Sequence, residues 1–131
     1  FGAPVRKSLE ESSNASIKTA IEIRNAIDDL IEDSGKENLP PLRLRIGIHS
    51  GKIITGSMGG AEKIEYALIG DSVNVAARLE SLNKEKMNNN CRILVSGDSL
   101  KFLKKENYNI ENWGECKVKG RESLVEVYEI L

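Results

Sequence analysis

One stretch near the middle of the chain decides how the rest is interpreted, and it reads Ile64-Glu65-Tyr66-Ala67-Leu68-Ile69-Gly70-Asp71-Ser72-Val73-Asn74-Val75-Ala76-Ala77-Arg78-Leu79-Glu80-Ser81-Leu82. Its first six residues predict a short apolar strand, and Gly70 permits a sharp turn at the end of that strand. An amphipathic helix is predicted after the turn, because four apolar residues recur at near-helical spacing and predict a buried stripe. These residues are Val73, Ala76, Ala77 and Leu79. We expect Asp71 or Ser72 to cap the first free N–H groups of this helix.

The polar residues of the same helix fall on one face. Asp71, Asn74 and Arg78 stand at positions i, i+3 and i+7, which places them together on the first two turns. A helix N-terminus attracts anions, an asparagine amide suits a sugar hydroxyl or ring oxygen, and a guanidinium matches phosphate oxygens. The three residues together predict one wall of a nucleotide-phosphate site. The alternative is a capped helix with a solvated polar face.

This stretch resembles the catalytic domain of the class III nucleotidyl cyclases, the adenylate and guanylate cyclases. The shared pattern is Glu-Tyr, a short strand, Gly-Asp and then Val-Asn-x-Ala-x-Arg-Leu-Glu, which here runs from Glu65 to Glu80. Two flanking motifs match in the same order, Arg45-Ile46-Gly47-Ile48-His49-Ser50-Gly51 upstream and Val118-Lys119-Gly120-Arg121 downstream. The motifs span nearly all of the chain. The resemblance implies an α+β, ferredoxin-like cyclase fold with a mainly antiparallel sheet and helices packed on it.

The resemblance also implies a role for each matching residue. Asn74 would position the ribose, and Arg78 would stabilise the phosphate charge that develops as the ring closes, so both are candidate catalytic residues. Lys119 of the Lys-Gly-Arg motif would reach the triphosphate. Asp71, Ala67 and Leu68 complete the candidate substrate-binding set.

Position 67 bears on the choice of purine, because in this family the residue after the tyrosine helps to select the base. Adenylate cyclases usually have aspartate or threonine there, and guanylate cyclases often have cysteine. The methyl group of Ala67 cannot hydrogen-bond a base, although the backbone of Leu68 could contact the base edge. ATP and GTP therefore both remain open, and the overall likeness to bacterial-type adenylate cyclases favours ATP.

The composition is that of an ordinary globular domain. The chain has 131 residues, 40% of them hydrophobic and 30% charged, with a net charge of −1. This balance gives no reason to expect a nucleic acid as a partner, and no apolar run approaches the roughly 20 residues of a membrane span. Cys91 and Cys116 lack metal-ligand spacing. We expect free thiols in a reducing compartment and a cytoplasmic location for the domain, even if the parent protein is anchored in a membrane.

The first residues, Phe1-Gly2-Ala3-Pro4, bear on how much of a domain is present. In the cyclase family a similar Phe-Gly-x-Pro follows the hairpin that carries the second metal-binding aspartate. We therefore expect residues 1–131 to be a single partial catalytic domain that lacks the N-terminal, metal-binding strands. The implied cofactors are two divalent cations, Mg²⁺ or Mn²⁺, with ligands outside this chain and none within it.

The remaining pattern predicts further strands and helices. We expect a loop over residues 7–14, a helix over 15–33 capped by Asn14 or Ser16, and a half-buried strand over 42–48 that ends at His49, with the histidine bonded to a turn. A second strand follows, in which Gly56 predicts a bulge or a close backbone approach, while the other glycines between 47 and 60 serve turns. Later elements are strands at 92–95, 108–116 (broken at Trp113-Gly114) and 123–130, and a helix from 96 to 103 capped by its first serine.

The implied reaction is the cyclisation of a purine nucleoside triphosphate to a 3′,5′-cyclic monophosphate. In this family each site lies at a two-fold interface, with metal carboxylates from one subunit and the asparagine–arginine helix from the other, so we expect a homodimer. This chain alone would lack the metal half of each site and would be inactive. The alternatives are a guanylate cyclase and a non-catalytic module that only dimerises or senses a nucleotide.

Overall fold

The computed structural model describes residues 1–3, 5–34, 42–60, 63–103, 108–117 and 123–131. The elements found in these ranges are, in chain order, α1 (Leu9–Ser34), β1 (Leu44–Ile48), β2 (Ile54–Gly60), β3 (Lys63–Ile69), α2 (Asp71–Ser81), β4 (Cys91–Ser96), α3 (Gly97–Leu100), β5 (Ile110–Cys116) and β6 (Val125–Ile130). None of the helices in the described part combines the length and the apolar character that crossing a bilayer requires.

Four strands form one mixed sheet in the order β1-β4-β6-β5. β1 and β4 run parallel, whereas β6 pairs antiparallel with both β4 and β5. β2 and β3 form a separate antiparallel hairpin, which leads directly into α2. Three of these four strand pairs are antiparallel, so the predicted α+β fold with a mainly antiparallel sheet is confirmed.

The two long helices lie on opposite faces of the four-stranded sheet. All six residues of β4 are buried, and alternate side chains point to opposite faces. Ile93 packs in one apolar cluster with Ile17 of α1, whereas Leu94 packs in a second cluster with Val75 and Leu79 of α2. α2 is therefore packed on β4, one of the two inner strands of the sheet.

The start of α1 corrects the predicted loop over residues 7–14, because the helix already begins at Leu9. The Ser8 Oγ accepts a hydrogen bond from the Glu11 amide at 3.0 Å, and the Glu11 carboxylate accepts one from the Ser8 amide at 2.9 Å. This reciprocal pair is a capping box, and a serine followed three residues later by a glutamate is its signature in the sequence. Asn14 and Ser16, predicted as caps, lie inside the helix.

Some local predictions are confirmed and others are wrong. The Ser96 hydroxyl caps α3 by accepting from the Ser99 amide, as predicted. The same hydroxyl lies 2.8 Å from the His49 Nδ1, and Ser96 is the last residue of β4, whereas the sequence predicts a bond from His49 to a turn. α3 ends at Leu100, three residues earlier than predicted. β5 shifts register between Asn112 and Gly114, as expected from the Trp-Gly break. Gly56 marks neither a bulge nor a close approach, because it pairs in regular register in the exposed hairpin with open space around it.

Candidate active site

α2 begins after a glycine whose positive backbone φ favours this residue type. Gly70 is the N-cap and separates β3 from the helix. Its backbone φ is 153°, a value that residues other than glycine rarely adopt. This N-cap residue lies one residue before the predicted candidates Asp71 and Ser72, and it has no side chain with which to cap. The Ser72 hydroxyl donates to the Lys52 carbonyl at 3.1 Å, which ties the first turn of α2 to the segment after β1. Asp71 is the first helical residue and is exposed.

Asn74 and Arg78 lie on the exposed face of α2, one turn apart. Within the described part of the chain, neither side chain has a hydrogen bond or an ion pair. The carboxylate of Glu80, two residues beyond Arg78, is instead engaged by Arg45 at 2.9 Å. The Arg78 guanidinium is therefore exposed and has no carboxylate partner among the described residues.

The buried side of α2 differs in part from the predicted stripe. Leu79 is fully buried as predicted, but the other fully buried residue is Val75, whereas Val73 is 37% exposed and Ala77 is exposed. Val75 and Leu79 are four residues apart, so they share one face one turn apart. The position of the helix over β4 decides which of its apolar residues are buried. Alanines are poor indicators of the buried face of a helix, because their side chains are small.

Gly47 sets the distance between α2 and the sheet. A Cβ at this position would lie 2.5 Å from the Glu80 amide nitrogen and closer still to the Ala76 carbonyl oxygen. The backbones of β1 and α2 are therefore in direct contact, and Gly47 serves this approach rather than a turn. The sequence signal for this role is a glycine in the middle of an alternating strand, which is a known marker of close backbone approach.

The two candidate base-contacting residues lie on β3 next to α2. Ala67 pairs with Gly56 and Leu68 pairs with Thr55, so their side chains point to opposite faces of the hairpin. Ala67 is half-buried, whereas Leu68 is 48% exposed and lines the groove described next. Only one of the two side chains can therefore face a given base.

A groove of about 630 Å³ runs between α1, β1 and the first turn of α2. Its apolar wall includes Ile46, Ile48 and Val73, and its polar lining includes His49 and Ser72. β1 is the terminal strand of the four-stranded sheet among the described residues, so its outer edge offers unpaired backbone groups beside this groove.

The sequence also implies a triphosphate contact by Lys119 and a two-cation centre. Lys119 and the rest of its motif lie outside the described residues. In the described ranges, no three His, Cys, Asp or Glu side chains are grouped so that they could hold a metal ion. The residues described here do not fit the two-cation centre that the cyclase fold implies, so no chemical step is assigned to a metal.

Comparison with known proteins identifies the family to which this fold belongs. Residues 3–130 match the family described as the adenylate and guanylate cyclase catalytic domain. Adenylate cyclase 1 of Rhizobium meliloti (strain 1021) is 33% identical over 132 residues, which cover 100% of this chain and 19% of that protein. Retinal guanylyl cyclase 2 of Bos taurus is 34% identical over 112 residues, covering 80% of this chain and 10% of that protein. The adenylyl cyclase CyaB from P. aeruginosa superposes with a TM-score of 0.85 at 26% identity, over 100% of this chain and 64% of that chain.

The chain therefore belongs to the adenylate and guanylate cyclase catalytic domain family, that is, to the class III nucleotidyl cyclases. It spans 19% of the length of the Rhizobium adenylate cyclase and 64% of the solved CyaB chain. Adenylate and guanylate cyclases both occur among the relatives, so the comparisons support a cyclase domain without separating ATP from GTP.

Proposed function

We propose that this chain is the nucleotide-facing part of an adenylate cyclase catalytic domain, which converts ATP to 3′,5′-cyclic AMP and pyrophosphate. The ribose 3′-oxygen bonds to the α-phosphorus, the bond from that phosphorus to the bridging oxygen breaks, pyrophosphate leaves, and the hydroxyl proton is lost. The observation that carries the proposal is the pair of exposed side chains Asn74 and Arg78, one turn apart on α2, which have no partner among the residues that the structure describes.

The chemistry of these two residues suits this reaction. Phosphoryl transfer requires little covalent work from a protein, so positioning and charge stabilisation dominate the rate. Asn74 would hold the ribose through its amide, and Arg78 would meet the charge that builds on the α-phosphate. Asp71, Ala67, Leu68 and Lys119 complete the proposed substrate-binding set.

ATP is the proposed substrate, although the base contacts alone do not decide it. Ala67 offers a methyl group and Leu68 an apolar side chain, and neither side chain can hydrogen-bond a purine. The likeness to the Rhizobium adenylate cyclase extends over the whole chain and supports ATP. GTP is the alternative, supported by the bovine guanylyl cyclase at nearly the same identity over a shorter stretch.

The working unit is proposed to be a homodimer of a longer protein. Ile54 and Ile69 face each other across the β2–β3 hairpin and are 73% and 50% exposed, and Met58 shares their face at 53% exposure. Exposed apolar surface of this kind is typical of an interface. The cation ligands would come from a part of the parent protein outside this chain, which would also cover the free edge of β1.

The test is turnover of ATP and GTP by the complete catalytic domain, meaning this chain together with its preceding metal-binding part, with Mg²⁺ or Mn²⁺. Asn74→Ala and Arg78→Ala should each lower kcat by about 10² to 10³ with little change in KM, as expected for loss of a group that acts in the transition state. Arg43→Ala, which removes an exposed arginine just before β1, is the control and should leave kcat unchanged.

Two results would contradict the proposal. A normal kcat in Arg78→Ala would remove the assigned role of α2, and turnover by these 131 residues alone would refute the expected need for the metal-binding part. The second candidate is a module that binds a nucleotide without converting it, and the lack of a carboxylate cluster among the described residues is the observation in its favour. Nucleotide binding by the complete domain without formation of any cyclic product would support that candidate.

A further inference from the structure

Arg92 is a buried arginine near the start of β4, with only 1% of its surface exposed. Both terminal nitrogens of its guanidinium donate to backbone carbonyls at the end of α2 and in the turn after it. Nη2 donates to Glu80 O at 3.1 Å and to Leu82 O at 2.5 Å. Nη1 donates to Asn83 O and Lys86 O, each at 2.7 Å.

These contacts complete the C-terminal end of α2, where helix carbonyls have no partner within the helix and carry partial negative charge. The preceding carbonyls are also satisfied, because the Ser81 hydroxyl donates to Arg78 O and the Leu82 amide donates to Leu79 O. Asn83 then turns the chain with a positive φ of 40°. The whole last turn, with Arg78 at its start, is therefore fixed to β4, an inner strand of the sheet.

The two ends of α2 are joined to the rest of the fold in different ways. At the N-terminal end the N-cap is Gly70, and the Ser72 hydroxyl donates to Lys52 O. At the C-terminal end the anchors of this eleven-residue helix are the carbonyl contacts of Arg92 and the ion pair between Arg45 and Glu80. Each residue of a helix rises about 1.5 Å, so the Arg78 Cα lies only about 3 Å along the axis from Glu80, whose carbonyl Arg92 holds.

Neutralising the charge of the buried Glu129 does not by itself explain why an arginine is buried at position 92. Glu129 is fully buried on the neighbouring strand, but its carboxylate accepts from the Asn88 amide at 3.0 Å, and no ion pair joins it to Arg92 among the described residues. The Arg92 Nε, the nitrogen not used on carbonyls, has no hydrogen-bond partner in the described part. All the hydrogen bonds that the guanidinium makes among the described residues go to backbone carbonyls at the end of α2 and in the turn after it.

We propose that Arg92 is a positioning residue that fixes the axial position of α2, and through it the position of the Arg78 guanidinium. The proposal rests on the proposed cyclase function. A planar fork is needed because four carbonyls are reached from two nitrogens, whereas a lysine ammonium has three donors on one atom and must release at least one carbonyl. Arg92→Lys keeps the buried charge and weakens the anchor, so it is the variant of choice.

The first experiment measures the anchor without reference to activity. Amide hydrogen exchange of this chain should show about tenfold lower protection in the last turn of α2 in Arg92→Lys, as expected for the loss of about one hydrogen bond to a charged donor. Arg24→Lys is the matched control, because the Arg24 guanidinium also donates to a backbone carbonyl, that of Ile130 at 2.8 Å, but away from α2. Its effect on α2 protection should be absent.

The second experiment measures turnover by the complete catalytic domain. Arg92→Lys should lower kcat by about 10- to 100-fold with KM nearly unchanged, because a misplacement of about 1 Å is costly for a transition-state contact. In an Arg78→Ala background the same substitution should change kcat by about twofold or less, since the two residues act through one contact. A general loss of folding would instead lower activity equally in both backgrounds.

Each outcome separates the two proposals. Reduced α2 protection with normal kcat in an active enzyme would overturn the positioning role and leave the cyclase function standing. An equal loss of kcat with and without Arg78 would also overturn it. A complete domain that makes no cyclic nucleotide would refute the cyclase function itself, while hydrogen exchange would still report on the anchor.

Discussion

Gly47→Ala probes the contact that places α2 on the sheet. The added Cβ would lie 2.5 Å from the Glu80 amide nitrogen, whereas ordinary contact begins at 3.4 Å, so the two backbones must separate by at least 0.9 Å, the difference between these distances. Neither partner is a flexible side chain, because the nearest atoms belong to the backbone of α2. The clash must therefore be relieved by moving the helix that carries Asn74 and Arg78.

The expected cost follows from this geometry. Overpacking that displaces backbone typically costs about 1 to 3 kcal/mol, and loss of the glycine's unfolded-state freedom returns about 0.5 kcal/mol. The net loss is therefore about 0.5 to 2.5 kcal/mol, and we expect the upper end because both clashing partners are backbone. A loss of about 2.5 kcal/mol would lower the melting temperature by about 9 °C for a domain of this size. Gly56→Ala is the matched control, because a Cβ there meets nothing within 4 Å.

The assay is thermal unfolding of both variants beside the wild type, followed by circular dichroism. Gly56→Ala should unfold within about 2 °C of the wild type, as expected for an exposed substitution. Equal melting temperatures for the two variants would refute the direct backbone contact between β1 and α2. In the complete domain, Gly47→Ala should also lower kcat more than Gly56→Ala, because it displaces the helix that bears the proposed catalytic residues.

Two further substitutions test local features away from the site. Ser8→Ala removes the hydroxyl that accepts the Glu11 amide, and the unfolding free energy measured in urea should fall by about 1 kcal/mol, with exposed Ser123→Ala as an unaffected control. An unchanged value would mean that the capping box does not start α1. Burial raises the pKa of the Glu129 carboxyl, and nearby Glu111 acts in the same direction. A raised folded-state pKa adds stability that is present in acid and is lost as the pH rises from the unfolded pKa through the folded pKa, so Glu129→Gln should remove this decline in urea titrations repeated across that range. A decline of equal size in the variant would assign it to another group.

The sequence is sufficient for the helix that carries the candidate site, because local spacing controls where this helix begins and which residues share a face. The Gly-Asp break predicts where α2 begins, and the four-residue spacing of Asn74 and Arg78 predicts that they share a face. Both residues are exposed, as expected from their polarity, because polar residues are seldom buried in a core without partners. The start of α1 carries an equally local signal, the Ser8–Glu11 capping box, but the polar run around these residues favours a loop when polarity alone is considered.

Other features depend on contacts that periodicity cannot reveal. The parallel pairing of β1 with β4 joins Leu44 to Cys91, two residues far apart in sequence, and Leu94 of β4 packs against Val75 and Leu79 of α2. The choice of Val75 over Val73 as a buried residue follows from that packing. The role of Arg92 depends on the path of the turn after α2, so the sequence offers only an arginine within an apolar strand as its signal.

The candidate site combines two exposed side chains, Asn74 and Arg78, with a rigid support. No carboxylate in the described ranges pairs with Arg78, which favours binding of a phosphate, but a long side chain on a mobile helix would lose that advantage to disorder. α2 limits this disorder through the backbone contact at Gly47, the buried pair Val75 and Leu79, and the carbonyl contacts of Arg92. Loss of any one support should therefore reduce kcat before it affects nucleotide affinity, because the affinity is spread over many contacts while the transition state depends on where one guanidinium stands.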